Sequence, residues 1–464
     1  MKLTCPLQKI HFIGIGGIGM SAIAEMLADL GVQVQGSDAK ESANTIRVRN
    51  SGIPVYIGHC AEHLQGVDAV VVTSAITSDN PELQEAKRLG IPIGHRSEML
   101  AEILHYKQSI CVSGTHGKTT TSSLIASMLM TAERDPSFII GGILNSQASN
   151  ARLGKGDYVV VEADESDGSF LKLPTSISVV TNVDPEHMEY YRTFDNMKAA
   201  YGLFMKNTAF YGACIACIDH PVVKELVTKI ENRRCITYGT DKEANVYADN
   251  IVATERGMRF NVCISYKNNV CCMKDIFLPM FGHHNVLNAL ASIAVGFYLG
   301  IEEHFIRKAL SEFSGIQRRL TYRGVLNDMP VYDDYAHHPI EISATLSAVR
   351  ASTKGKVIAV FQPHRYTRLR DLWDSFLMCF ENADIVYVCD VYSAGENPIE
   401  GVTALTFSRV LAQTHPQVKH LPIFEDLITL TQGLTAYDTL VCLGAGSISS
   451  QITGLLDSLK GEKN

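Results

Sequence analysis

The segment Gly114-Thr115-His116-Gly117-Lys118-Thr119-Thr120 follows the apolar run Ser109-Ile110-Cys111-Val112 and leads into a helical stretch from about Thr121 to Thr131. A glycine turn between strand and helix lets backbone N–H groups wrap a phosphate chain, which the helix N-terminus also attracts. Lys118 would set a point charge beside the β and γ oxygens of ATP, and Thr119 or Thr120 would offer Mg2+ a hydroxyl. The common pattern G-x-x-x-x-G-K wants glycine at position 112, where this chain has Val112. That departure marks a particular branch of phosphate-loop proteins.

Acids gather after the next strand-like run. Tyr158 to Val161 ends at Glu162, placed as a second magnesium ligand requires, and Ala163-Asp164-Glu165-Ser166-Asp167 follows. A solvated acidic loop is the alternative. The run Ile177 to Thr181 ends in Asn182-Val183-Asp184-Pro185-Glu186-His187. His187, beside two acids at a strand end, could bind a second metal or stand near a reacting amine.

A second glycine loop lies near the start. Gly14-Ile15-Gly16-Gly17-Ile18-Gly19 fits G-x-G-x-x-G between the strand Ile10–Ile13 and a helix from Ser21 to Leu30. Its glycines would let the backbone approach a diphosphate. The strand Val32–Gln35 ends at Gly36-Ser37-Asp38, where an acid often bonds a ribose, and Ala69–Val72 ends at Thr73-Ser74-Ala75. NAD and a UDP-sugar present the same diphosphate, so the loop alone does not choose between them.

The elements that must hold these loops read as strands alternating with helices, which predicts parallel sheets covered by helices. With 464 residues, about three domains are expected. The loops set them at 1–108, 109–320 and 321–464. In the third, Arg323 to Tyr332 reads as a strand pair around Asn327-Asp328, and Lys356–Phe361 as a buried strand followed by a basic loop, Gln362–Arg370. Ile385–Cys389 and Thr439–Leu443 are further strands. A formal net charge of -8 excludes a chain that is basic overall and built to bind nucleic acid. No apolar run reaches the length a membrane helix needs, and the N-terminal run is too short for a signal peptide. A cytoplasmic protein without membrane or nucleic-acid partners is expected. The twelve cysteines are scattered. Cys214 and Cys217, and the adjacent Cys271 and Cys272, read as buried thiols rather than zinc or redox groups.

Taken together, these segments resemble the Mur ligases. Gly282-His283-His284-Asn285-Val286-Leu287-Asn288-Ala289, Gly315-Ile316-Gln317-Arg318-Arg319, Asp333-Asp334-Tyr335-Ala336-His337-His338-Pro339 and Gln362-Pro363-His364-Arg365-Tyr366-Thr367-Arg368 extend the likeness over nearly the whole chain. The resemblance implies a Rossmann-like domain for a UDP-sugar, a central phosphate-loop ATPase domain and a Rossmann-like C-terminal domain closing over ATP and amino acid. It implies that the γ-phosphoryl of ATP moves to the carboxylate of UDP-N-acetylmuramate. L-alanine then attacks the acyl phosphate, releasing phosphate and leaving an amide. Phosphorylation turns a poor electrophile into one with a leaving group, so catalysis is largely positioning and charge neutralisation.

The roles carry over by position. Gly14, Gly16, Gly17, Ile18, Gly19, Ser37, Asp38, Ser74 and Ala75 match the UDP-sugar site. Gly114 to Thr120, His284, Asn285, Asn288, Arg319 and Asp334 match the ATP site. Thr119, Glu162 and His187 resemble the Mg2+ ligands, and Arg319 an arginine that reaches the γ-phosphate. His337, Arg365 and Arg368 look placed for the muramate carboxylate or the amino acid, with a solvated basic turn as the alternative for both arginines. Lys118, His187, Arg319 and His337 are the expected catalytic groups. Many relatives carry a carbamoylated lysine in the helix after His187, where this chain has Tyr201. A monomer or weak homodimer is expected. A ligase that attaches a ready-made tripeptide to the same nucleotide shares most of these features. An NAD-dependent oxidoreductase would explain only Gly14–Gly19 and Asp38.

Overall fold

The computed structural model describes residues 8–73, 75–105, 107–147, 149–254, 256–266 and 269–461, so Ser74 lies outside the described residues. The fold is α/β as expected, with sheets of five, ten and six strands. The chain divides into two compact units. One comprises 1–250, 260–277 and 286–314; the other comprises 251–259, 278–285 and 315–464.

In the first unit, a five-stranded parallel sheet runs Val55–Ile57, Gln33–Asp38, Lys9–Ile13, Ala69–Val72, Ile93–His95. The winding reverses at Lys9–Ile13, and the crevice there, beyond the strand's carboxyl end, is where open α/β sheets take ligands. The first glycine loop occupies that point. Its helix spans Ile18–Asp29, three residues ahead of the expected start at Ser21, because Gly17 already has the extended backbone of a cap. The second strand runs on to Asp38 instead of ending at Gln35. Gly36 permits this: a Cβ there would come within 2.6 Å of the Phe12 carbonyl and 2.7 Å of Ile15.

Beside this loop lies a cluster that no sequence motif announces. Glu82 is fully buried. Its carboxylate accepts the Ser37 hydroxyl at 2.5 Å and faces His63 at 2.6 Å, His59 at 3.2 Å and His11 at 3.4 Å. Burial alone would raise its pKa, but the bonds from His11, Ser37 and His63 outweigh it and bring it down to about 2. A depressed carboxylate stabilises the fold above its unfolded pKa near 4.5 and loses that contribution as pH falls towards 2. Replacing Glu82 with Gln should therefore lower stability at neutral pH by on the order of 3 kcal/mol. It should also flatten the acid limb between about pH 4.5 and 2, as read from melting temperature against pH. An unchanged acid limb would refute this account.

In the central sheet a parallel body runs Cys235–Gly239, Ala213–Cys217, Ile177–Val180, Gln108–Ser113, Tyr158–Glu162, Ser137–Leu144. The phosphate-loop strand Gln108–Ser113 is thus flanked by the two strands that end in the acidic motifs. Register aligns Val112 with Glu162 and Ser113 with Val180, so three segments distant in sequence emerge together at one sheet edge. Cys214 and Cys217 are buried as expected. Cys271 and Cys272 are not: both are exposed, on the edge strand Asn269–Leu278.

The second unit carries the six-stranded sheet. An antiparallel hairpin, Thr321–Leu326 and Met329–Asp334, turns at Asn327 and Asp328, both at positive φ. Parallel strands Thr439–Leu443, Val357–Phe361, Ile385–Cys389 and Val418–Leu421 complete it. The run Val357-Ile358-Ala359-Val360-Phe361 is apolar throughout because both faces are covered. Val357, Ala359 and Phe361 pack with Phe376, Phe380 and Phe407, whereas Ile358 and Val360 pack with Leu440 and Ile452. The expected basic loop Gln362–Arg370 contains a short helix, Tyr366–Asp371. Glu396 holds its first turn by accepting the backbone N–H and hydroxyl of Thr367 at 3.0 and 2.6 Å.

Candidate active site

Backbone conformation builds the phosphate loop. Gly114 has φ 143° and Gly117 φ 83°. A Cβ on Gly114 would come within 1.9 Å of the Thr181 hydroxyl, and one on Gly117 within 2.5 Å of Asn288. The neighbouring strand end braces the loop. The Asn182 side chain accepts the N–H of His116 at 2.7 Å and donates to the His116 carbonyl at 2.9 Å. The Asp184 N–H donates to the Thr115 hydroxyl at 2.8 Å. Thr121 donates to Asn288 at 3.1 Å, tying the loop's helix to His283–Tyr298.

Lys118 folds back over its own loop, donating to the carbonyls of Gly114 and Thr115 at 2.6 and 3.1 Å and to Glu165 at 2.8 Å. Burial works against its charge, but Glu165 and Glu162 outweigh that and push its pKa up. Glu165 is 1% exposed, and burial raises its pKa to about 7 although Lys118 opposes the shift. Its second oxygen is buried without a hydrogen-bond partner.

Two donor groups could hold cations. The Thr119 hydroxyl donates to Glu162 at 2.9 Å, and Glu162 also accepts the N–H of Gly141 at 2.8 Å. Separately, Glu165, Glu186 and His187 place ligand atoms within 4.8 Å of one another. His187 reaches this point from a left-handed backbone, φ 56°. These donors are mostly carboxylate and hydroxyl oxygens, the chemistry Mg2+ prefers, and the orphaned Glu165 oxygen is what a cation would satisfy. Thr119, Glu162 and His187 are the candidate ligands that the sequence singles out. Glu165 and Glu186 were visible only as part of acidic runs. Tyr201 is fully buried, packs edge-on against Phe170 at 5.3 Å, and has a hydroxyl without a hydrogen-bond partner.

At the first glycine loop, the N–H groups of Gly14 and Ile15 both donate to the Ser37 carbonyl, at 2.8 and 2.9 Å. Asp38 accepts the N–H of Gly16 at 2.8 Å. Gly17, Ile18 and Gly19 lie at the start of the helix, and the Ala75 N–H donates to Thr73 at 3.1 Å. Asn150, from the central sheet's edge, donates to the Ile18 carbonyl at 2.9 Å and accepts from Arg47 at 2.7 Å. Arg96 pairs with Asp164 at 2.8 Å. Glycine loop and acidic motif are therefore joined within one unit.

The second unit holds the remaining expected residues. Asp334 is buried, its oxygens accepting the N–H groups of Leu320 and Ala336 at 2.7 and 2.8 Å. Burial raises its pKa against the pull of Arg319. The Arg319 guanidinium lies 5.5 Å from the Tyr335 ring. Desolvation, with help from Arg319 and His283, lowers the His284 pKa to about 4, keeping the ring neutral at physiological pH. The Asn285 side chain donates to the Phe281 carbonyl at 2.8 Å. His337 and His364 are 5.9 Å apart, and Arg368 lies 3.1 Å from the His364 ring nitrogen. Burial, with His337, Arg368 and Arg365 nearby, depresses the His364 pKa to about 3. Arg365 has φ 71°, a strained value for a residue with a side chain.

Fold and loops together define a phosphate-loop nucleotide-binding protein with a second glycine loop at a sheet's switch point. Three family models match in sequence: the Mur ligase family catalytic domain over 9–108, the Mur ligase middle domain over 112–296, and the Mur ligase glutamate ligase domain over 318–446. A UDP-N-acetylmuramate–L-alanine ligase of Bradyrhizobium sp. is 50% identical, covering 99% of both chains. Another of that name, from Methylorubrum populi, is 50% identical over 99% of this chain and 100% of its own. The crystal structure of the UDP-N-acetylmuramate-alanine ligase of Thermotoga maritima superposes with TM-score 0.82 at 28% identity, covering 98% of this chain and 99% of that one. The chain belongs to the Mur ligase family.

Proposed function

We propose that this chain is an ATP- and Mg2+-dependent ligase that joins L-alanine to the carboxylate of UDP-N-acetylmuramate, releasing ADP and phosphate, in the building of peptidoglycan precursors. The substrates follow from relatives of that name at half identity over the full length. One observation carries the chemistry: Lys118, the Thr119–Glu162 pair and the Glu165–Glu186–His187 trio lie around one phosphate loop.

In this reading the loop amides and Lys118 hold the ATP phosphates, with Asn288 steadying the loop. Thr119 and Glu162 would hold one Mg2+, and Glu165, Glu186 and His187 a second. Bound there, the metal would neutralise charge on the phosphoryl oxygens. Gly14 to Gly19, Ser37, Asp38 and Ala75 receive the UDP-sugar. His284, Asn285, Arg319 and Asp334 serve the nucleotide, and His337, Arg365 and Arg368 the carboxylate or the amino acid. His284 is suited to hydrogen bonding as a neutral ring. Among the described residues no helix is long and apolar enough to cross a membrane. We place the enzyme in the cytoplasm, as a monomer or weak homodimer.

The test is phosphate release with ATP, Mg2+ and UDP-N-acetylmuramate, adding L-alanine, glycine, L-serine or the tripeptide in turn. Release should need both the nucleotide sugar and L-alanine. Glycine and L-serine should be weaker, since a single small group in a pocket is worth about 1–3 kcal/mol. Release with the tripeptide alone would overturn the acceptor and leave the ATP-site reading standing.

A further inference from the structure

Away from the phosphate loop, the last strands of the ten-stranded sheet, Val246–Thr254, Gly257–Tyr266 and Asn269–Leu278, lie side by side. Along the middle one, Met258, Phe260, Val262 and Ile264 are buried, so the residues between them, Cys263 included, face outwards. Cys263 is half-buried and Cys272, on the adjoining strand, is exposed. The Cys272 thiol donates to the Cys263 sulfur at 2.8 Å. From the third strand Tyr247 faces the same sulfur, whose proximity pushes the phenol's pKa up. Tyr247, Cys263 and Cys272 therefore form one row across three strands, all within the first unit.

Facing residues on paired strands have Cβ atoms about 4.5–5.5 Å apart, and a disulfide needs roughly 3.5–4.5 Å, so a small approach suffices. The Cys272 thiol is aimed at the Cys263 sulfur, so once Cys263 is oxidised its neighbour is in place to resolve it. Cys111, Cys214, Cys217, Cys379, Cys389 and Cys442 are buried and shielded from oxidants.

We propose that Cys263 and Cys272 form a reversible oxidation site for hydroperoxides. The Cys263 thiolate attacks one peroxide oxygen; an S–O bond forms, the O–O bond breaks, and the departing oxygen leaves as water after taking a proton. The Cys272 sulfur then attacks Cys263; the S–S bond forms, the S–O bond breaks, and the hydroxyl leaves as a second water. Two thiols lose two electrons and two protons in all, and one hydrogen peroxide becomes two waters. Cys272 stops Cys263 short of the irreversible sulfinic and sulfonic acids, and a thiol reductant restores the pair. Cys271, next in sequence, is also exposed, but the thiol bonded to Cys263 is that of Cys272, and Cys271 takes no part.

The experiment treats the reduced full-length protein with equimolar hydrogen peroxide, blocks remaining thiols with a maleimide, and maps peptides by mass spectrometry. The expected result is a linked peptide joining Cys263 to Cys272, lighter by two hydrogens and released by dithiothreitol. Cys271→Ser should keep the link, and Cys263→Ser should abolish it. The proposal fails if Cys263 and Cys272 are both recovered as free thiols at a dose that oxidises the exposed Cys60. It also fails if Cys263 accumulates as sulfinic acid, or if the link runs to Cys271. The unmutated protein decides the matter by itself, so a misfolded variant cannot obscure it.

Discussion

Replacing Lys118 with alanine should lower the ligation rate about a thousandfold or more while the chain still folds. The ammonium is the cation held directly over the loop, bonded to the carbonyls of Gly114 and Thr115 and to Glu165. In the proposed reading, charge developing on the transferring phosphoryl group then loses a protein counter-charge. The stability consequence has its own sign. Breaking a buried pair costs about 3–5 kcal/mol when the partner stays charged. Glu165, already raised to about 7 by burial, would rise further once Lys118 is gone. A group whose folded pKa is raised favours the folded state at low pH, and the penalty grows as pH climbs from its unfolded value, near 4.5, through the folded one. The variant should therefore melt close to the parent at pH 5 and well below it at pH 8. Adding Glu165→Gln should remove that pH slope without restoring the rate. Phosphate release within tenfold of the parent would remove Lys118 from the chemistry.

The contrast between Lys118 and Glu165 shows what the sequence could carry. Lys118, Thr119 and the glycines that shape their loop are contiguous, and a glycine turn between strand and helix has few physical explanations. Glu162 and His187 were recognisable because each sits at the end of an apolar run, where a parallel sheet presents side chains to a ligand. Their convergence depends on strand order, and it is the pairing of Val112 with Glu162 and Ser113 with Val180 that brings them together. Side chains whose roles arise only from such pairing were harder to see. Glu165 is one acid among several until the fold buries it against Lys118. Glu82 reads as an ordinary first-turn helix acid, yet His11, His59 and His63 meet it from separate segments. Cys272 reads as an apolar strand residue because an edge strand and a covered one have similar composition; only its place at the sheet's margin exposes it.

Gly141→Ala provides the second large effect, and it tests the metal reading without touching a proposed ligand. Gly141 lies in the strand Ser137–Leu144, and its N–H donates to Glu162 at 2.8 Å. A Cβ there would stand 2.6 and 2.9 Å from the two carboxylate oxygens. The backbone of Gly141 is not left-handed, so alanine brings no dihedral strain. The conflict falls on the end of a flexible side chain, and the fold should lose no more than about 1 kcal/mol. Glu162 must nevertheless turn away, and turning breaks its contact with Thr119. A displacement of about 1 Å at a catalytic group can cost on the order of a hundredfold in rate. We expect a loss of that size in phosphate release, a higher Mg2+ concentration for half-maximal rate, and little change in KM for UDP-N-acetylmuramate, whose expected loop is elsewhere in the unit. A Glu162→Gln variant should show the same rise in Mg2+ requirement, because it weakens the same donor from the other side. If Gly141→Ala slows the reaction while the Mg2+ dependence stays fixed, Glu162 orients the loop through Thr119 and is not a metal ligand. If both rate and Mg2+ dependence are unchanged, the Thr119–Glu162 pair has no part in the chemistry, and the cation would have to be held by the Glu165, Glu186 and His187 group alone.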